Sequence, residues 1–260
     1  MRPVILYREG DMDSKELAAA NQFFYTTSSR MTIQSGDLVL ARYCALPFYK
    51  EQEYDINYVG ASMINTFAQH NWVADLRNWA EELADVTPQT WYRLEDVPKD
   101  GAFVLKGKTN SKKHQWKTSM YAADRNAAIK VYDNLTQDYM IGAQPIYIRR
   151  YVPLKTYLIG IQDLPITNEW RHFVLDGQVL TSAYYWSSHV DDLPEAPKQV
   201  DQGWVREVAA RTKGHVRFCA VDVAETAEEK LIVVDINDGQ MSGLSETIAD
   251  ELYQRLKDAL

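Results

Sequence analysis

Apolar positions along the chain fall into short continuous runs and helical stripes, separated by polar joints. Residues 4–7 form a first strand-like run. Residues 14–24 follow with helical character, capped by Asp13 or Ser14. Residues 37–42 read as the next strand, and strand, helix, strand at this spacing predicts a small α/β unit. Residues 47–58 are polar and aromatic and predict a loop. Residues 61–69 and 72–83 read as helices. In the second, Trp72, Leu76, Trp79 and Leu83 recur at helical spacing and form a core stripe. Thr87-Pro88 closes it, which gives an N-terminal lobe over residues 1–95.

Beyond it, residues 96–260 form a second unit. Residues 102–107 read as a buried-type strand carrying Lys106, and 108–120 as a polar, basic stretch. Residues 124–135 read as a helix with Ala127, Ala128, Val131 and Leu135 on one face. Residues 145–153 are a strand running to a proline-marked bend. Residues 167–175 and 178–185 flank Asp176-Gly177, a strong hairpin signal. Glu169, Arg171 and Phe173 share a face of the first of these strands by alternation; a structural ion pair is the plain reading of Glu169 and Arg171. A loop at 187–198, a helix at 199–212, a hairpin across 217–239 and an amphipathic helix at 246–260 complete the chain.

The last hairpin carries the chemistry. Its second strand brings Asp235 and Asn237, two residues apart, to one face about 7 Å apart along the strand. Its first strand carries Asp222. If Glu225 pairs with Lys230, Asp222 lies opposite Val233 and diagonal to Asp235. Asp and Asn are poor strand formers, yet here they sit in good strands. Acids closing on one face repel unless a cation lies between them. Asp222, Asp235 and Asn237 therefore read as hard oxygen ligands for a divalent metal, Mg²⁺ in particular.

Charge sharpens this picture. The net charge is −8 and the pI about 5.2, which disfavours a general nucleic-acid or membrane-surface binder. Against that background, Lys106, Lys108, Lys112, Lys113 and Lys117 crowd residues 101–123, where no acid occurs. Phosphates are their natural partner; a solvated lysine-rich hairpin tip is the plain alternative. Gly107-Lys-Thr109 is not a P-loop, because Ala102 stands where that motif needs glycine. Cys44 and Cys219 lack metal-type spacing and read as buried apolar residues in a reduced, cytoplasmic setting. No run is long enough to cross a bilayer. His70, His114, His172, His189 and His215 show no ligand spacing. His189, near Trp186, reads as a surface-loop histidine, the alternative being a wall of the acceptor pocket.

In their order these parts resemble the ATP-grasp superfamily, as in D-alanine–D-alanine ligase and the RimK-type glutamate ligases. The resemblance rests on Asp222, then Asp235-Ile-Asn237, then the small-residue loop through Gly243 and a closing helix. It implies an ATP-grasp fold of class α/β (α+β), two subdomains enclosing a nucleotide behind a small N-terminal α/β lobe. It implies ATP and Mg²⁺ as cofactors. Lys106 and Arg171 take catalytic roles on the phosphates, and Lys112 and Lys113 stand in for backbone N–H groups of a phosphate-covering loop. Residues 146–153, with Arg149, Arg150 and Tyr151, pass the adenine; Glu169 and Arg171 reach ribose and phosphates. Asp235 replaces the glutamate of many members, and Arg149-Arg150 stands where an acid is common. The implied activity is an ATP-dependent carboxylate–amine ligase working through an acyl phosphate, on small-molecule or peptide substrates. A kinase on the same scaffold and a non-catalytic nucleotide sensor are the alternatives, and a homodimer is left open.

Overall fold

The computed structural model describes residues 1–109, 111–186 and 193–260. His189 and the first half of the expected 187–198 loop lie outside the described residues.

The N-terminal lobe is built on a parallel sheet. Its elements are β1 (Arg2–Leu6), α1 (Ser14–Phe23), β2 (Tyr25–Thr27), β3 (Asp37–Ala41), α2 (Tyr49–Tyr58) and β4 (Ser62–Met63), with strand order β2-β1-β3-β4. Ile5, Leu38 and Leu40 pack on Ala19 and Ala20 of α1. Leu6, Val39 and Ala41 pack on Tyr49 and Ile56 of α2. Both faces are covered, which is why β3 is buried at every residue and shows no alternation. The loop expected at 47–58 is instead helix α2. Its inward stripe is only Tyr49, Gln52 and Ile56, while exposed Tyr54 and Tyr58 mask the period. The helix expected at 61–69 is also corrected. Ser62 and Met63 join the sheet, and α3 (Phe67–Ala74) starts behind a capping box of Thr66 and Gln69. The single helix expected at 72–83 is two: α3 ends at Ala74 and extended Asp75 caps α4 (Leu76–Glu82). Leu76, Trp79 and Leu83 are buried, and Trp72 packs beside them as expected.

A second, antiparallel sheet of order β5-β8-β6-β7 comprises β5 (Thr90–Trp91), β6 (Phe103–Gly107), β7 (Tyr121–Ala122) and β8 (Ile146–Arg150). A short helix α5 (Trp116–Ser119) lies in the lysine-rich stretch. Helix α6 (Arg125–Thr136), capped by Asp124, covers the sheet with Ala128, Val131 and Leu135. A two-stranded ribbon, β9 (Thr156–Ile159) and β10 (Pro165–Thr167), leads into the third sheet.

That sheet, of order β12-β11-β13-β14, is antiparallel: β11 (Glu169–Leu175), β12 (Gln178–Tyr184), β13 (Phe218–Glu225) and β14 (Leu231–Asp238). Asp176 and Gly177 turn the first hairpin with φ of 48° and 80°, as the sequence predicted. One face, through Phe173, Phe218 and Ala220, packs against the N-terminal lobe and α8 (Ala249–Ala259). The other, through Cys219, Val221, Val223, Val233 and Ile236, packs on α3, α4 and α7 (Gln202–Arg211).

The β13–β14 register differs from expectation in a way that matters. Val223 pairs with Val233, but Asp222 then pairs with Asp235, so Val234 is an extra residue in a β-bulge. Val233 and Ile236 both face the helical core although three positions apart. Strict alternation from Val233 would send Asp235 and Asn237 to that apolar side. The bulge turns them to the face that carries Asp222. Backbone groups at the bulge find partners outside the sheet. The Val233 N–H donates to the Val86 carbonyl (2.8 Å), Thr87 Oγ1 donates to the Val233 carbonyl (2.8 Å), and Arg149 donates to the Val234 carbonyl.

Candidate functional site

Asp222 and Asp235 are directly opposed across β13 and β14, and each is held by a cation from another strand. Arg171 of β11 is a two-pronged donor to Asp222, with Nε–Oδ1 and Nη2–Oδ2 both 2.8 Å, and its Nη1 donates to the Gly243 carbonyl at 2.9 Å. Lys106 of β6 donates to Asp235 Oδ2 at 2.8 Å. Both acids, Asn237, Lys106, Lys113 and Arg171 line one polar cavity of about 340 Å³. Among the described residues no group of three or more His, Cys, Asp or Glu side chains is placed to hold a metal ion. The set here is two carboxylates and an amide, which leaves most of an octahedral Mg²⁺ shell to a ligand's oxygens and water.

A second cavity of about 130 Å³ adjoins the first and shares Lys106, Ser111, Lys113 and Asp235 with it. Its walls are mainly apolar: Val104, Met120, Trp116, Leu164 and Ile232 close around Tyr151 and Val152. Past Arg150 the chain leaves its sheet. The Tyr151 N–H still donates to the Ala102 carbonyl (2.9 Å), and Pro153 then ends the pairing. Arg149 and Arg150 both line this cavity but face different work. Arg149 is buried and donates to Thr87 Oγ1 at 2.6 Å. Arg150 donates to the Asp100 carbonyl at 2.9 Å and lies over Trp91.

The lysine-rich stretch is not a solvated tip. Each lysine meets an acid from elsewhere: Lys108 with Asp75 at 3.3 Å, Lys112 with Asp138 at 2.7 Å, Lys117 with Asp163 at 2.7 Å. Lys113 turns inward, donates to the Tyr185 hydroxyl at 2.8 Å and lies over Trp186. Its distance to Glu169 Oε1 is 3.8 Å, too long for a hydrogen bond, and that buried oxygen has no hydrogen-bond partner. Lys112 thus sits on the far side of the stretch, away from both cavities, whereas Lys113 lines both.

Electrostatics follow from this packing. Burial pushes the Asp235 carboxyl up, but Lys106, Arg149 and Lys113 outweigh it and hold it below the usual carboxylate range. Burial pulls the Arg149 guanidinium down to about 10. Burial also opposes charge on Lys113, but Glu169, Tyr185 and Asp222 more than offset it and its pKa rises. Glu169 is raised by burial despite Lys113. The two members of that pair shift in the same direction, so they do not act as a tight ion pair. The 3.8 Å gap and the orphaned oxygen agree, and burial governs Glu169.

Sequence reasoning passed over several residues that the fold brings here. Thr87 supports the bulge, and Asp238 and His70 pair at the rim of the polar cavity (3.1 Å). An acid directly after Asn237 was the one signal in the sequence. Cys44, expected to be buried, is exposed at this rim; Cys219 is buried, and both are free. No helix among the described residues is long and apolar enough to cross a membrane.

A family model described as "ATP-grasp domain, R2K clade family 3" matches residues 93–256. Comparison with curated proteins finds no match. Among solved structures, a RimK domain ATP-grasp protein from Sphaerobacter thermophilus is similar over 99% of this chain and 98% of its own, at 16% identity and a TM-score of 0.64. The D-cycloserine synthetase DcsG is similar over 99% of both chains, at 14% identity and a TM-score of 0.64. The ATP-grasp ligase PsnB, solved with a precursor variant, Mg and ADP, matches 98% of this chain and 96% of its own, at 11% identity and a TM-score of 0.60. At these identities the likeness establishes the fold.

Proposed function

Because the chain belongs to the ATP-grasp superfamily, R2K clade family 3, we propose that it is an ATP- and Mg²⁺-dependent carboxylate–amine ligase that releases ADP and phosphate. One observation carries this reading: Asp222 and Asp235, opposed on one face and each paired with a cation, meet a polar cavity that opens into an apolar one of nucleoside character. The apolar cavity takes the adenine, with the backbone at Tyr151 and Val152 as hydrogen-bonding edge. Glu169, whose buried oxygen lacks a partner, accepts from a ribose hydroxyl. Arg149 acts behind the site by holding the bulge, and Arg150 fixes the strand end through Asp100.

A carboxylate is a poor acyl donor because its leaving group would be oxide. Attack of its oxygen on the γ-phosphorus of ATP forms a P–O bond, breaks the bond to ADP and yields an acyl phosphate. The amine nitrogen then forms a C–N bond with the acyl carbon, and phosphate departs with the electron pair of the C–O bond. The residues present fit a Mg²⁺: hard oxygens from Asp222, Asp235 and Asn237 at the rim of a polar cavity. When bound there, Mg²⁺ supplies positive field to the phosphate oxygens in transfer. Lys106, Lys113 and Arg171 add fixed charge, and this kind of positioning carries most of phosphoryl-transfer catalysis. With α5, the lysine-rich stretch covers the phosphates and keeps water from the intermediate. Lys112 contributes indirectly, by tying that stretch to Asp138. We assign substrate selection to the N-terminal sheet, β1 to β4, whose core is shared with β11, β13 and α8. We place the enzyme in the cytoplasm, where both thiols stay reduced.

A screen of amino acids and short peptides for ADP release with Mg-ATP tests this. The expected result is release that depends on both an acid and an amine, and that Asp235→Ala abolishes. Phosphate transfer that needs no amine, giving a stable phosphoester, would replace the ligase by a kinase. Mg-ATP binding without turnover would leave a sensor.

A further inference from the structure

His70 was set aside in the sequence because it has no metal-type spacing, and neither the metal set nor the nucleotide pocket uses it. The fold gives it a defined setting. Nδ1 lies 3.1 Å from Asp238 Oδ2, and the other Asp238 oxygen accepts from Asn65 Nδ2 (2.9 Å) and from the Gln240 N–H (2.9 Å). A carboxylate that accepts on both oxygens needs a donor at Nδ1, so the ring proton sits there and Nε2 keeps its lone pair. The ring is fixed in its plane by stacking on Tyr49, centroids 4.4 Å apart, with Phe67 on the same side chain cluster at 6.5 Å.

Position separates this histidine from His172. His172 lies inside the sheet with its Nε2 buried and without a partner, whereas His70, though only 4% exposed, borders a cavity. His70 also lines the same polar cavity as Asp222, Asp235 and Arg171. A short run of contacts joins them. Asp222 is bound by Arg171, Arg171 donates to the Gly243 carbonyl, and Ser242, next in the chain, donates through Oγ to the Asp238 carbonyl at 2.8 Å. Cys44, Leu46, Val73 and Met241 line this cavity with His70, and none of the five lines the apolar cavity. On the ligase reading, the polar cavity is where a second substrate meets the acyl group.

We propose that His70, oriented by Asp238, is the general base that deprotonates the acceptor amine. This assignment rests on the ligase reading above. An amine arrives at neutral pH as an ammonium ion with no lone pair to donate. Nε2 removes one proton from that nitrogen and becomes imidazolium. The freed pair forms the C–N bond as the acyl C–O bond breaks, and the departing phosphate takes the second nitrogen proton and leaves as hydrogen phosphate. The imidazolium then returns its proton to solvent. The acid–histidine–nucleophile order is that of other oriented-base sites. The groups that face the ring are Tyr49 from α2, Phe67 from its own helix and Asp238 from β14. The Tyr49 hydroxyl donates to the Asn65 carbonyl at 2.9 Å and accepts from Gln240, so it is committed elsewhere.

The test compares wild type with His70→Gln, which can still hydrogen-bond Asp238, using two acceptors with the acid found in the ADP-release screen. One acceptor is an α-amino acid from the same screen; the other is hydroxylamine, a weak base that is largely unprotonated at neutral pH and needs no deprotonation before attack. For the amino acid, kcat at pH 7 should fall about 100-fold or more, the usual contribution of a positioned base. It should recover as the pH rises toward the acceptor's own pKa. The loss with hydroxylamine should stay below about 3-fold, and Tm should show the variant folded. Equal losses with both acceptors, or a loss that higher pH does not restore, would overturn the assignment in favour of a purely structural dyad. Wild-type activity with no loss in His70→Gln would overturn it alone. Absence of ADP release from wild type with every acid would overturn the ligase reading, and this assignment with it.

Discussion

Arg171→Met is the sharpest probe of how the acids are held. The guanidinium makes three hydrogen bonds, two to Asp222 at 2.8 Å and one to the Gly243 carbonyl at 2.9 Å. Methionine keeps much of the aliphatic stem but leaves Asp222, 2% exposed, with no hydrogen-bonded counter-ion. Removing one partner of a buried pair costs about 3–5 kcal/mol, because the remaining charge keeps its desolvation penalty. That is a large part of the roughly 5–15 kcal/mol that stabilises a typical domain. Urea unfolding should show it as a drop in midpoint at unchanged slope. The same experiment with Mg²⁺ tests the metal site. In wild type, Arg171 competes for the carboxylate, so magnesium alone should add under about 0.5 kcal/mol. In the variant the carboxylate is vacant, and a ligand at about 100 times its Kd adds about 2.7 kcal/mol. A loss below about 1 kcal/mol would mean the pair is solvated. Equal stabilisation of both proteins by Mg²⁺ would mean that Asp222 does not bind it.

Further expectations follow from the same geometry. Burial depresses the His172 imidazole to about 4, so the stability tied to its neutral form is complete above the unfolded value near 6.5 and is lost as pH falls toward 4. That loss is about 3 kcal/mol, and His172→Gln should flatten this acid limb in urea melts. Glu169 shifts the other way: burial raises it, so folding binds its proton more tightly and stability falls as pH rises past the ordinary glutamate range. Glu169→Gln should therefore be the more stable protein at pH 8 while binding ATP more weakly, as calorimetry would show. Trp116→Ala removes an aromatic wall of the apolar cavity and, if the adenine binds there, should raise the KM for ATP about 10-fold, with kcat within about 2-fold. An unchanged KM would place the adenine elsewhere.

The α/β class, the buried residues Leu76, Trp79 and Leu83, the Asp-Gly hairpin and the pairing of acids on the last two strands were legible because each rests on local spacing, though the break at Asp75 was not. The bulge was not. Its extra residue is Val234, between Val233 and Asp235, and nothing in a Val-Val pair marks which valine is unpaired. Counting outward from the turn gave a register with Val233 opposite Asp222; the true register is set from outside the hairpin by Val86, Thr87 and Arg149. Helix α2 was hidden for a related reason. Three inward residues suffice where a sheet supplies the rest of the core, and the outward tyrosines erased the contrast. The tethers of the lysine stretch were invisible because Asp75, Asp138 and Asp163 each come from a different element.

Those tethers and the bulge have one physical cause in common. The site gathers Lys106, Lys113, Arg149 and Arg171 around two carboxylates, which a protein can do only if no charge is left buried and alone. Asp235 answers Lys106 and Asp222 answers Arg171. On the function proposed above, a polyphosphate would offer the cations new partners and free the two acids at the same moment for a divalent ion. Metal and nucleotide should therefore bind cooperatively: each removes the obstacle that the other meets. Charge exchange of this kind needs both acids on one face within reach of both cations. A β14 of strict alternation would have placed Asp235 beside Val221, in the apolar core and away from Lys106. One inserted residue at an edge strand is thus what converts a structural hairpin into a place where cations can change partners.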